Sequence, residues 1–222
     1  DLRTPLATIA GAASSIVEGS SSITVESCKS MAREIYAESA RLTRLVKNLL
    51  DMTRVQSGTL SLNKELIPID DLIGSALSAV ENQLAGRPVK IDISPDLPMV
   101  SVDPVLIQQV FVNLLENAIK YTPAQSEIEI TACVSNNNME IDFADNGPGI
   151  GKANMELIFR EFYQERSEMS SGVGLGLAIC RGICEAHGAK LIAENRNTGG
   201  APFRLILPLE KIESGLAPLE AS

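Results

Sequence analysis

From Val25 to Gln56, apolar residues recur every three or four positions: Met31, Ile35, Leu42, Leu45, Leu49, Met52 and Val55. That is the period of one face of an α-helix. Gly58 ends the pattern. Residues 1–18 carry a matching stripe of Leu2, Leu6, Ile9, Ala13 and Ile16, and Gly19-Ser-Ser-Ser22 separates the two stretches. Two antiparallel helices cannot hide such stripes from water by themselves. The hairpin therefore predicts a homodimer, whose four helices form one bundle.

After Gly58 the period shortens. Residues 59–62 read as a strand, and Asp70 or Asp71 caps a helix running to about Asn82. Val89–Ile93 alternates apolar and polar, as a strand does. Asp103-Pro104 is an N-cap followed by proline at the first helical position. The helix it starts runs to about Lys120, with Leu106, Val110, Leu114 and Ile119 as its core face. Residues 128–134 and 139–144 form a hairpin around Asn136, Asn137 and Asn138. Residues 151–171 are polar and irregular. Residues 172–187 read as a helix, 190–194 and 203–207 as strands, and 210–222 as a frayed tail. The expected fold is α+β: a two-helix hairpin over 1–57, then an α/β sandwich over 58–209 with helices on one face of a mixed sheet.

Hydrophobic residues make up 45% of the 222, enough for a sizeable core. The net charge of −9 argues against nucleic acid or an anionic membrane surface, since both require an extended basic stripe. A local phosphate site is still allowed, because backbone N–H groups at a helix start bind phosphate without net positive charge. No apolar run is long enough to cross a bilayer. The expectation is a cytoplasmic piece of a longer protein, attached to the inner membrane only through preceding N-terminal regions. Cys28, Cys133, Cys180 and Cys184 fit no disulfide framework. Cys180, Cys184 and His187 share a helical face, but three ligands without a fourth read as core packing. His187, the single histidine, precedes Gly188 and reads as a helix end.

Four stretches carry the chemistry: Asn113-Leu-Leu-Glu-Asn117-Ala-Ile-Lys120-Tyr121, Asp145-Asn-Gly147-Pro-Gly149, Phe159-Arg-Glu-Phe162 and Gly172-Val173-Gly174-Leu175-Gly176-Leu177. Asn113, Asn117, Lys120 and Tyr121 lie on one side of a helix. An amide oxygen is a hard ligand suited to Mg²⁺, and lysine is a point charge for phosphate. Asp145 ends a strand, where a carboxylate can accept a hydrogen bond from the amino group of adenine, and Gly147 and Gly149 let backbone approach a base closely. The last motif opens a helix with free N–H groups. It is neither a Walker loop, since no Gly-Lys-Ser/Thr follows, nor a dinucleotide fingerprint.

In order and spacing these stretches resemble the N, G1, F and G2 boxes of the sensor histidine kinases, whose ATPase fold is shared with gyrase, Hsp90 and MutL. Asp1, Thr4 and Pro5 resemble the part of the family's acceptor motif that follows its phosphorylated histidine, which would sit directly before Asp1. The run 178–183, with Ala193-Glu-Asn-Arg196 and Gly199-Gly200, is similar to the potassium-sensing KdpD kinases in particular. The resemblance implies a Mg·ATP-dependent histidine kinase that passes its phosphoryl group to the receiver domain of a response regulator. Asn117 would hold the metal. Asn113, Lys120, Tyr121, Asp145, Gly147, Gly149, Ile150, Phe159, Phe162 and residues 172–177 would line the nucleotide. Asp1 would orient the acceptor imidazole and take its proton, and Thr4 would position water for the reverse, phosphatase reaction.

Hydrolysing relatives place a glutamate four residues before the metal-binding asparagine. Here that position is Asn113, which favours transfer over hydrolysis, and Glu116 is the nearest acid able to polarise the site. The pattern departs from the family where Arg160 and Glu161 are exchanged and Gln164 stands for an arginine that Arg166 can replace. The final glycine motif also lacks its usual threonine. The alternative reading is a pseudokinase or docking scaffold on the same fold.

Overall fold

The computed structural model describes residues 3–19, 24–164, 174–196 and 199–209. By contact, these fall into two compact units: Asp1–Leu60 with Glu156–Ile179, and Ser61–Met155 with Cys180–Ser222.

In the first unit, α1 (Arg3–Val17) and α2 (Val25–Gln56) pack as a hairpin. The Thr24 side chain accepts the Ser27 N–H at 3.2 Å, satisfying one of the orphan donors at the start of α2. Gly58, at φ +63°, ends it in the left-handed region. Met52 is buried, but Met31, Ile35, Leu42, Leu45 and Val55 are only half-covered, and Leu49 and Leu50 are 46% and 54% exposed. One hairpin alone leaves the apolar stripe wet.

In the second unit, β1 (Glu65–Ile67) pairs antiparallel with β3 (Val100–Val102). A five-stranded sheet runs in the order β2 (Val89–Ile93), β4 (Ile128–Ser135), β5 (Asn138–Asp145), β7 (Phe203–Pro208), β6 (Lys190–Ala193). The β2–β4 pair is parallel, and the β4–β5, β5–β7 and β6–β7 pairs are antiparallel. Asn136 and Asn137, both at positive φ, make the two-residue turn that joins β4 to β5. Alternation sorts the faces. Ile128, Ile130, Met139, Ile141, Leu205 and Leu207 are buried, while Lys90, Glu129, Asp142 and Arg204 form ion pairs on the other face. Two helices, α3 (Ile69–Leu84) and α4 (Pro104–Tyr121), pack together, and Phe111 of α4 meets Phe143 of β5 at 4.9 Å. Helix α5 (Gly176–Ala186) leads into β6. The α+β expectation, a helical hairpin followed by a mixed sheet with helices, is borne out.

Several local expectations need correction. No strand forms at 59–62, and the first strand begins at Glu65. Pro68, at φ −65°, takes the cap position of α3, while Asp70 and Asp71 lie in its first turn, where they favour the dipole. Helix α5 starts at Gly176, because Gly174 sits at φ +73° and cannot be helical. Helix α4 buries Ile107, Val110, Phe111, Leu114, Leu115 and Ala118, whereas Leu106 and Ile119 are only half-covered. Contact with both α3 and β5 rotates the buried strip by about one residue from the face that spacing alone suggests.

Candidate functional site

The site is built on the second half of α4. Asp103 fixes where that helix starts: its Oδ1 accepts the Val105 and Leu106 N–H groups at 3.1 Å each, and its Oδ2 accepts Asn63 N–H at 3.0 Å. From that start, Asn113, Asn117 and Lys120 fall on one side, all half-buried, with Tyr121 at the rim, 43% exposed. Lys120 Nζ lies 4.8 Å from the centre of the Tyr121 ring. Glu116 is turned towards α3, where its Oε1 accepts Gln83 Nε2 at 3.1 Å.

Asn113 stands apart. Its Nδ2 is buried without a hydrogen-bond partner. The neighbouring Cys180 is fully buried, and burial pushes its thiol up to about 12, only partly opposed by Asn113. The thiol therefore stays protonated, and it donates to Val110 O at 3.9 Å. A buried polar group left unpaired costs roughly 1–3 kcal/mol. Burial also raises the Cys184 thiol, and both cysteines read as core.

At the end of β5 the Asp145 carboxylate turns back on its own chain, with Oδ1 accepting Gly147 N–H at 2.8 Å. At two glycines the turn has no room for a side chain. A Cβ on Gly147 would lie 2.8 Å from Thr122 Cγ2 and 2.9 Å from Asp145 Oδ1. A Cβ on Gly200 would lie 1.7 Å from Asp145 O, and Gly200 N–H donates to Gly147 O at 2.9 Å. Farther along, Asn195 grips Ile150 from both sides: Ile150 N–H donates to Asn195 Oδ1 at 2.9 Å and Asn195 Nδ2 donates to Ile150 O at 2.6 Å. Gly149, at φ +77°, passes under the same asparagine. Burial raises the Asp145 carboxyl above the usual aspartate range, opposed by the Gly147 and Ala201 N–H groups and by Arg196 and Arg87. The structure thus brings Asp145, Gly147, Gly149 and Ile150 together and seats their turn against the end of α4.

The other expected residues belong to the first unit. Thr4 is exposed on α1, and its carbonyl accepts Thr8 Oγ1 at 3.2 Å. Phe159 and Leu175 are buried, Gly176 and Leu177 half-buried. Phe162 is 63% exposed at φ +60°, and its N–H donates to Gly174 O at 2.9 Å. A Cβ on Gly174 would lie 2.6 Å from Tyr163 O. Asp1, Gly172, Val173 and Arg166 lie outside the described residues. Sequence reasoning assigned no site role to Arg87, Thr122, Asn195 or Gly200. Asn195 and Gly200 lie in the 193–196 and 199–200 stretches that resemble the KdpD kinases.

Two domain families match the chain: the His Kinase A (phospho-acceptor) domain over residues 1–58, and the Histidine kinase-, DNA gyrase B-, and HSP90-like ATPase over 102–211. The chain is 43% identical over 209 residues to the sensor protein KdpD of Escherichia coli (strain K12), a match covering 94% of this chain and 23% of that protein. With the signal transduction histidine-protein kinase BaeS of the same strain it shares 34% identity, covering 95% of this chain and 45% of that one. The chain therefore spans less than half of either relative. The Acinetobacter baumannii histidine kinase AdeS superposes with a TM-score of 0.73 at 26% identity, covering 94% of this chain and 97% of that one. No described helix is long and apolar enough to cross a membrane. A phospho-acceptor hairpin followed by an ATPase sheet, with KdpD among its relatives, places the chain in the sensor histidine kinase family of two-component systems.

Proposed function

We propose that this chain is the catalytic core of a cytoplasmic, membrane-attached sensor kinase, with residues 58–209 as its ATP-binding domain. ATP gives its γ-phosphoryl group to an imidazole nitrogen of a histidine preceding Asp1, ADP leaves, and the phosphoryl group then passes to an aspartate of a response regulator. The observation that carries the reading is Asp145. It is an acceptor at a turn where Gly147 and Gly200 have no room for a side chain, which suits the amino group of adenine. Asn117 would hold Mg²⁺ through its amide oxygen, and Lys120 would meet phosphate. Asn113 lies one turn before Asn117 on the same side of α4. The bound ion would supply charge neutralisation for the transferred phosphoryl group. No carboxylate occupies position 113 to activate water, so the phosphoryl group is kept for transfer. The half-wet stripe of α2 supports a homodimer.

Calorimetric titration with Mg·ATP tests the site. Asn117→Ala should abolish binding. Asp145→Asn should cost roughly 1–3 kcal/mol, the price of an unmatched buried polar group. Unchanged titrations for both variants would refute the assignment.

A further inference from the structure

Arg87 lies between α3 and β2, in the sequence Gly86-Arg87-Pro88, and is buried. Its guanidinium binds where α4 ends. Nη1 donates to Thr122 Oγ1, and Nη2 donates to Ile119 O at 3.3 Å and to Thr122 O at 3.4 Å. Thr122 Oγ1 in turn donates to Ala118 O at 2.6 Å. The last carbonyls of a helix have no partner within it, and the negative end of its dipole favours a cation. Arg87 supplies both the donors and the charge.

The far side of Thr122 bears on the adenine turn. Its Cγ2 occupies the space beside Gly147 so closely that a Cβ there would lie 2.8 Å away, and Tyr121 O would be 3.4 Å from the same Cβ. Gly147 N–H is the donor that holds Asp145 Oδ1. A chain of contacts therefore runs from Arg87 through Thr122 and Gly147 to the carboxylate. It links the helix carrying Asn113, Asn117 and Lys120 to the turn carrying Asp145. Burial raises the Asp145 carboxyl, and the Gly147 and Ala201 N–H groups, Arg196 and, least of these, Arg87 oppose it.

Resting on the nucleotide site proposed above, we infer that Arg87 is a positioning residue for adenine recognition, which locks the end of α4 against the Asp145 turn. An arginine that only stabilised the fold would affect melting and nothing else. A positioning arginine also changes which base is accepted and the pH at which Asp145 takes a proton. The sign is fixed: the carboxylate accepts from adenine, so binding is lost as pH falls through its titration. Removing a nearby cation raises that titration further.

The test is calorimetric binding of Mg·ATP and Mg·GTP from about pH 5 to 9, which brackets a raised carboxylate. It uses the unaltered chain and the Arg87→Gln, Arg87→Lys and Thr122→Val variants, each checked for folding by circular dichroism. Arg87→Gln should bind Mg·ATP about tenfold more weakly, the effect of losing one charge-assisted contact. It should also lose part of its preference for ATP over GTP, and its acid limb should move to higher pH. Arg87→Lys keeps the charge but not the fork, so its acid limb should stay near that of the unaltered chain while affinity is intermediate. Thr122→Val should weaken binding without moving the acid limb. A folded Arg87→Gln protein with an unmoved acid limb and unchanged base preference would overturn the inference. If that variant does not fold, undiminished affinity in both other variants would do the same. Failure of the unaltered chain to bind Mg·ATP would instead overturn the nucleotide reading on which the inference rests.

Discussion

At Gly200 the backbone passes so close to Asp145 that a single methyl group has nowhere to go. The position is at φ +84°, and the methyl would overlap Asp145 O at 1.7 Å. Gly200→Ala should therefore destabilise the protein by roughly 2 kcal/mol or more, through strain and forced movement of the turn. Gly188 also sits at positive φ, at +72°, but its surroundings are open. Gly188→Ala should cost only about 1 kcal/mol, the left-handed penalty alone. Equal midpoints for the two variants in urea would contradict this. The contrast marks what the sequence made legible at this scale. Asp145, Gly147 and Asn117 stand in motifs whose spacing has a chemical reason. Arg87 and Asn195 do not, because their partners lie far along the chain: Arg87 reaches Thr122, and Asn195 reaches Ile150. A residue whose role is to hold a distant backbone group leaves no local pattern.

Helices and strands were legible where one face meets one neighbour. The α2 stripe and the β4–β5 alternation follow their periods. Short β3 escaped notice because three residues carry too little alternation, and it exists by pairing with β1. The junction of α5 and α4 makes a prediction of its own. His187 Nε2 accepts the Asp103 N–H at 3.0 Å, and its Nδ1 donates to Ile183 O at 2.8 Å, so both nitrogens are occupied only in the neutral ring. Burial lowers its pKa, with Lys64 adding to the effect and Asp103 and the Ile183 carbonyl opposing it. The unfolded chain then binds a proton that the folded chain resists. This contribution is complete above the ordinary histidine value of about 6.5 and is lost as pH falls from there towards the lowered folded value. Urea unfolding at about pH 7.5 and 5.5 should show the unaltered protein losing more stability than His187→Gln, by on the order of 1 kcal/mol. Equal losses would show that the ring does not staple α4 to α5.

For the molecule as a whole, one hairpin leaves Leu49 and Leu50 about half exposed along a helix of 32 residues. A second copy in a four-helix bundle, as proposed above, would cover that surface. Sedimentation should find a dimer, and Leu45→Asp with Leu49→Asp should yield a folded monomer that still binds Mg·ATP. A dimer that survives both changes would move the interface elsewhere. We propose that ATP held by the sheet unit gives its phosphoryl group to a histidine directly before Asp1. The most direct measurement incubates the parent protein, which carries the residue before Asp1, with γ-labelled ATP and Mg²⁺. Acid-labile, alkali-stable label should appear on the protein and vanish when that preceding residue is replaced. ATP bound without label would contradict the kinase and leave a nucleotide-binding scaffold.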